Sequence, residues 1–580
     1  MKNKTFQRIY KMAKPYRKTI IIVSILSLLI AIAEIVKPYI VEIIIDEYLV
    51  KGIYQKGILT IGMLGAIYIG IVILGNIIDF VETTTTNIMG ENIIYDMRNK
   101  LFKYIQYANI TFHDKTSAGK LFVRITNDVE DVATLFKEVI STFIKDMIII
   151  ITIIIVILYI NFKLGLIALT VVPLILFFSL TLINIANKME EVAKTFRTDL
   201  NTFLAESIYG AKLIKIFNIQ GQKQRECEQK TKDFRDAKSK ARIPQAILPA
   251  IMMILENLAI ALITWACVYH WFGIQLEVGF VYAFVTYIKN LFDPITRTVE
   301  NIEVVQEAIV SINKIYDILD RKEYLEDLES GKILDTVKGK IEFKNVWFSY
   351  DNKNWVLKDV SFVIEPGQSV ALVGKTGSGK TTITNLINRF YDIQKGEILL
   401  DGVNIRDINI RSLREHIGVI LQDPFIFADT IKQNIKLNLP ISDEDVEKAI
   451  KLASADEFVN SLPNGIEEIA KERGASYSAG QKQLIAFARV FAHNPDIFML
   501  DEATANIDTY TESLIQKSID KISANKTSIF IAHRLSTIVN VDKIIVLMNG
   551  EIIEQGNHNE LVRTGGYYSK LYNAYYESLG

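Results

Sequence analysis

Cysteine is almost absent from this 580-residue chain, where only Cys227 and Cys267 occur. Two such residues build neither a disulfide framework nor a CxxC metal site, so function must rest on other chemistry. A surplus of basic charge is also missing. The formal net charge of −1 gives none of the positive surface that a nucleic-acid partner draws on. What the chain has in quantity is apolar surface. Hydrophobic residues make up 50% and mean hydropathy is +0.22, yet 23% of residues are charged. Its length allows several domains, and this composition describes an apolar part joined to an ordinary soluble part.

Six nearly uncharged runs lie at residues 19–45, 57–81, 140–160, 164–185, 246–272 and 278–295. Each is long enough to cross a bilayer as a helix. Short loops join them in pairs, the second loop being little more than Asn161-Phe162-Lys163. Roughly 60 residues separate the pairs, in amphipathic helical patterns such as "IYDMRNKLFKYIQYANI". Lys2, Lys4, Arg8, Lys11, Lys14, Arg17 and Lys18 precede the first run, and further basic residues populate both long segments. The positive-inside rule then places both termini and both long segments in the cytoplasm. The first apolar run is too long for a cleavable signal peptide and no small-residue cleavage site follows it. Glu34, Asp79, Lys145, Asp146, Glu256, Lys289 and Asp293 fall at membrane depth. Such charges face a cavity or snorkel to the interface, and mid-span Glu34 and Glu256 are the expected cavity residues. Pro38 and Pro294 are expected to kink the first and sixth spans.

After Lys332 the pattern changes to short strands, turns and helices. The strand-like "SVALV" runs into "GKTGSGKTT", and apolar Ile383, Leu386, Ile387 and Phe390 follow at helical spacing. This is the strand–loop–helix context that G-x-x-x-x-G-K-[ST] requires. Gly374, Lys375, Thr376, Gly377, Ser378, Gly379, Lys380, Thr381 and Thr382 form the expected ATP phosphate loop. Its backbone N–H groups wrap phosphate, Lys380 neutralises the β- and γ-phosphates, and the Thr381 hydroxyl is placed for Mg²⁺. A second apolar strand ends in Asp501-Glu502. Asp501 is the expected Mg²⁺-side aspartate, and Glu502 orients and polarises the attacking water. His533 follows another apolar strand, "SIFIA", where it can reach a γ-phosphate. Further upstream, "YSAGQ" opens an amphipathic helix with a small, hydroxyl-bearing turn suited to a second anion.

With these motifs in this order, the chain resembles a half-transporter of the ATP-binding cassette (ABC) exporter family over nearly its whole length. The resemblance implies an α-helical six-span transmembrane domain of ABC exporter type fused to an α/β P-loop cassette domain. The domains would be an elbow helix at 1–18, the transmembrane domain at 19–310, a linker at 311–338 and the nucleotide-binding domain at 339–580. It also implies Tyr350 as the adenine-stacking aromatic and Gln422 in "VILQDPFIF" as the Q-loop glutamine sensing Mg²⁺ and water. Glu472 lies in a segment that contacts cytoplasmic loops, Asp508 in "ANID" is the D-loop aspartate, and His533 is the switch histidine. Asp501 and Glu502 match Walker B and the catalytic glutamate. "YSAGQ" aligns with the signature written LSGGQ, so Ser478, Ala479, Gly480 and Gln481 would serve the ATP held by a partner subunit. Thr126–Asp131 and Ile208–Phe217 take the places of the coupling helices.

The function implied is ATP-driven export of amphiphilic drugs, lipids or peptides across a bacterial cytoplasmic membrane, by alternating access in a dimer. Tyr477 and Ala479 depart from the signature while the Walker motifs, Glu502 and His533 are complete. That combination resembles the glutamate-bearing subunit of heterodimeric exporters, and favours a heterodimer over a homodimeric drug or lipid flippase. A nucleotide-gated channel is the reading of another class, and the intact Glu502 and His533 speak against it. Six spans all but exclude a soluble ATPase acting on DNA or ribosomes. Fusion of the two domains and the absence of a solute-binding module disfavour import, and no peptidase domain precedes the elbow.

Overall fold

The computed structural model describes the chain apart from residues 1, 53–54, 57–58, 269–276, 322–325, 502–507, 525, 532–537 and 578–580. Two compact units result. The first joins Met1–Gln106 to Ser117–Lys322, and the second joins Tyr107–Thr116 to Glu323–Gly580.

The first unit is helical. Helix α1 (Lys2–Ala13) is followed by α2 (Arg17–Ile43), a two-residue hairpin of β1 (Gln55–Lys56) and β2 (Leu59–Thr60), and α3 (Ile61–Tyr107). After the short α4 (Ile110–Lys115) come α5 (Ala118–Val123), α6 (Val129–Thr134) and α7 (Ser141–Ile160), which run on as one helix through π turns. Then follow α8 (Phe162–Tyr209), α9 (Ala211–Ile216), α10 (Gln220–Val268), α11 (Val278–Glu300) and α12 (Ile302–Leu319). Among the described residues, four continuous helices have the length and apolarity to cross a bilayer: Lys4–Val50, Ile61–Tyr107, Ala118–Ile160 and Gln220–Ala266. The other two expected spans lie within α8 and α11.

Physical causes for these boundaries are local. The Asn161 side chain accepts hydrogen bonds from the N–H groups of Lys163 and Leu164, capping α8 where α7 ends. Ile69, Ile73, Ile77 and Phe80 of α3 stay exposed, the apolar face a lipid-embedded helix presents. Pro38 and Pro294 sit inside helices that continue past them. α1 is fastened to α12: Arg8 donates to Asn313 (2.9 Å) and Asp320 (2.8 Å), with its guanidinium 4.8 Å from the centre of the Tyr316 ring.

Thr126–Asp131 packs within the first unit, where Ser311 of α12 donates to Asp128 (3.1 Å) and Asp131 (2.7 Å). The cytoplasmic segment belonging to the second unit is Tyr107–Thr116. Asn109 caps α4 by accepting from Phe112 N, Phe112 is buried, and Asp114 accepts a hydrogen bond from Tyr391 (2.5 Å).

In the second unit β3 (Ile341–Phe348), β4 (Leu357–Ile364) and β5 (Ser369–Val373) precede α13 (Lys380–Ile387). Next come β6 (Lys395–Leu400), β7 (Val403–Asn404), α14 (Ile410–Glu415), β8 (Ile417–Ile420), α15 (Ile431–Lys436), α16 (Asp443–Leu452) and α17 (Asp456–Ser461). The unit continues with α18 (Ala479–His493), β9 (Ile497–Asp501), α19 (Thr509–Ser523), β10 (Thr527–Ile531), β11 (Lys543–Met548) and β12 (Glu551–Gly556). A four-stranded antiparallel sheet has the order β4-β3-β6-β7, and a six-stranded sheet the order β12-β11-β5-β10-β9-β8. The inner strands of the larger sheet are parallel and buried on both faces. Alternate residues divide between two cores: Val370, Leu372, Ile497 and Met499 face one, while Ala371, Val373, Phe498 and Leu500 face the other.

Candidate functional site: the phosphate loop and its strand ends

Parallel pairing brings the chemistry to one edge of the larger sheet. Ile531 stands opposite both Leu372 and Asp501, and Ile420 opposite Leu500. Hence the phosphate loop after β5, Ile531 ending β10, Asp501 ending β9, and Gln422 just past β8 follow one another along that edge. Glu502 and His533 fall outside the described residues.

The loop itself is built for an anion. Gly379, at φ +106°, precedes α13, and a Cβ there would come within 2.6 Å of Leu357. At Gly374 a Cβ would stand 2.2 Å from the Leu547 carbonyl oxygen, so only glycine lets the loop lie this close to β11. Lys380 is buried as the first residue of α13, and its ammonium donates to the Gly374 (2.7 Å) and Lys375 (3.1 Å) carbonyl oxygens. Beside it the Ser378 hydroxyl is buried with no hydrogen-bond partner among the described residues. A helix start, a buried ammonium and an unsatisfied hydroxyl together fit a polyphosphate. Thr381 is exposed, with Lys375, Thr376 and Gly377. Thr382 is turned inward, its hydroxyl 3.1 Å from that of Tyr350.

Tyr350 is half exposed and edge-packed against Phe348 (4.8 Å between ring centres) and Tyr391 (5.0 Å). Its ring is thereby held beside the first turn of α13 with one side open. The signature turn is closed on itself by a capping box. Ser478 Oγ accepts from Gln481 N (3.2 Å), and the Gln481 side chain accepts from Ser478 N (2.9 Å). Ala479 is exposed and Gly480 buried. Tyr477 packs edge-on against Phe458 at 5.4 Å, so the aromatic in place of leucine works as a core anchor. Burial, then the nearby Glu468 carboxylate, raises its phenol above the ordinary 10. Asp508 caps α19 by accepting from Thr511 N (2.9 Å), a bond that holds its carboxyl below the usual range. Glu472 sits exposed in a short turn next to Arg473, whose φ is +54°.

Sequence comparison agrees with this geometry from both ends of the chain. Residues 20–295 match the ABC transporter transmembrane region, and residues 357–505 match the ABC transporter family. The chain belongs to the ABC transporter family. It is 38% identical over 491 residues to YheH of Bacillus subtilis, named a probable multidrug resistance ABC transporter ATP-binding/permease protein, covering 83% of this chain and 72% of that one. The ATP-dependent lipid A-core flippase of Syntrophus aciditrophicus is 32% identical over 497 residues, covering 85% and 82%. A solved ATP-bound bacterial Atm1-family ABC exporter superposes with a TM-score of 0.79 at 26% identity, covering 96% of this chain and 98% of that one. This chain is therefore an ABC exporter: a membrane transporter whose ATPase domain drives transport, acting as a dimer in a lipid bilayer.

Two contacts of the transporter had no signal in its motifs. Gln483, buried on α18, donates to the carbonyl oxygens of Leu421 (3.3 Å) and Gln422 (3.0 Å), tying the signature helix to the Q-loop. Tyr391 joins Tyr350 to Asp114 of α4. Burial, then the Asp114 carboxylate, raises the Tyr391 phenol well above its ordinary 10. Isolated glutamines and tyrosines carry no periodicity, so only the folded contacts reveal them.

Within the membrane unit a cavity of about 540 Å³ opens between α2, α3, α7 and α11. Glu34, Asp79, Lys145, Asp146 and Asp293 line it, as do Lys37, Glu82 and Arg297. Glu256 and Lys289 are not among the residues that line this cavity. Mid-span position is shared by Glu34 and Glu256; which way each helix face turns is decided by packing.

Proposed function

We propose that this ABC exporter moves amphiphilic substrates outward across the bacterial cytoplasmic membrane as the catalytic-glutamate-bearing half of a heterodimer. The observation that carries the reading is the division of the ATP machinery in one chain. Lys380, Asp501 and Gln422 converge on one sheet edge, while the Ser478–Gln481 turn opens a different helix. In this reading the turn closes over ATP held by the partner, and the partner's turn closes over ATP on Lys380. Mg²⁺ would be held by Thr381, Gln422 and Asp501, supplying charge neutralisation between the phosphates. Glu502 orients the attacking water and His533 contacts the γ-phosphate. ATP binds the closed pair more tightly than the open one, and that difference biases the membrane halves toward the outward-facing state.

A second feature supports the need for a partner. The tip around α9 exposes Ile208 (73%), Tyr209 (91%), Ile216 (73%) and Phe217 (66%), an apolar end suited to docking on a neighbouring subunit. Both termini and the 339–580 nucleotide domain are assigned to the cytoplasm on the distribution of basic residues. Purification of the chain alone tests the composition. A weakly active or monomeric protein, activated by addition of a second half-transporter, is expected. A stable dimer with robust ATPase activity and no other subunit would establish the homodimer instead.

A further inference from the structure

The membrane cavity has an electrostatic pattern that selects a ligand. Its cations are already engaged: Lys37 with Glu34 (2.6 Å), Lys145 with Asp79, Arg297 with Asp146 (2.8 Å), and Lys137 with Glu91 (2.6 Å). Some of its acceptors are not. Asp146 is 1% exposed, and while Oδ1 receives Arg297, Oδ2 has no hydrogen-bond partner among the described residues. The Thr86 hydroxyl, on a residue 4% exposed, is likewise buried without a partner. Asp293, across the cavity on α11, makes no ion pair among the described residues.

A buried acceptor left unsatisfied is costly, and a buried carboxylate oxygen more so. A ligand that donates N–H groups and brings positive charge relieves both costs at once. A ligand with positive charge but no N–H leaves Oδ2 and Oγ1 unpaired. The volume of about 540 Å³ lies in the range of small-molecule sites, and its lining is too charged for a purely apolar drug.

We propose that this cavity is a binding site for organic cations whose charged end is a primary ammonium, held by Asp146, Thr86 and Asp293. As a substrate class the assignment rests on the export reading above; as a binding site it stands on the cavity alone.

The test is calorimetric binding to the nucleotide-free, full-length transporter in lipid nanodiscs. The probe is hexane-1,6-diammonium, and the comparison is hexamethonium, which has the same charge and spacing but no N–H. The diammonium is expected to bind at least about tenfold more tightly, the worth of one charged hydrogen bond. Asp146→Asn should abolish that preference, but it also disturbs Arg297. Thr86→Val removes only an unpartnered hydroxyl, so the fold is retained, and it should weaken the diammonium by about tenfold, as should Asp293→Asn. Equal binding of the two probes, binding of neither, or unchanged affinity in both Thr86→Val and Asp293→Asn would overturn the site. Intact diammonium binding without ATP-driven uptake of the diamine into inside-out vesicles would instead overturn its role as substrate and leave the site standing.

Discussion

Lys380 begins α13 and turns its ammonium back onto the loop carbonyls, contacts that the proposed mechanism exchanges for phosphate oxygens. Glu502 has a different task in the proposed mechanism, because it acts on water and not on the bound phosphates. Glu502→Gln should therefore keep ATP affinity while lowering turnover by about 100-fold or more, measured as nucleotide binding beside phosphate release. Retained turnover would refute the role. A second residue-scale effect concerns His416, which holds the segment before β3. Its Nδ1 lies 2.6 Å from Asp496 and its Nε2 3.1 Å from the Leu334 carbonyl oxygen. Burial opposes the charge, but these two partners together outweigh it and raise the pKa above the ordinary 6.5. The folded state thus binds this proton more tightly than the unfolded state. Its stabilisation is complete below 6.5 and is lost as pH rises through the folded value. The unfolding temperature should fall across that window, and His416→Gln should flatten this part of the profile.

Among elements, α4 shows how little a pattern can say about docking. Residues 107–116 lie between two stretches of the first unit, yet they join the second. Their hold is the buried Phe112, the Tyr391–Asp114 hydrogen bond and the bond from Glu326 N to the Tyr107 carbonyl (3.0 Å). Since Tyr391 also packs against Tyr350, this segment reaches the expected adenine aromatic through one side chain. Tyr391→Phe keeps the ring packing and removes the hydrogen bond. Amide exchange in 107–116 should accelerate about tenfold, with ATP affinity little changed. Unchanged exchange would show that the bond does not hold the segment. The signature turn is the other instructive element. Its Ser and Gln were legible from spacing; that they also cap α18, and that Gln483 ties that helix to the Q-loop, was not. A capping box spans three residues and can be read locally, whereas the Gln483 contact spans 61 and cannot.

For the whole molecule, the apolar runs and the P-loop with its flanking strand and helix were enough to establish a membrane domain and an ATPase domain in one polypeptide. The physical reason is that both depend on local order: a bilayer imposes a minimum apolar length, and a phosphate loop needs glycines and a lysine at fixed spacing. Pairing of β5 with β10 and of β10 with β9, which draws residues 372, 531 and 501 level, required the folded sheet. So did the cavity, whose lining comes from four helices far apart in sequence. Sequence alone placed the charges at membrane depth. Only packing decided that Lys37, Lys145 and Arg297 meet carboxylates while Asp146 Oδ2 and Thr86 Oγ1 do not, because a charge's neighbours across helices depend on rotation and register that no linear pattern records.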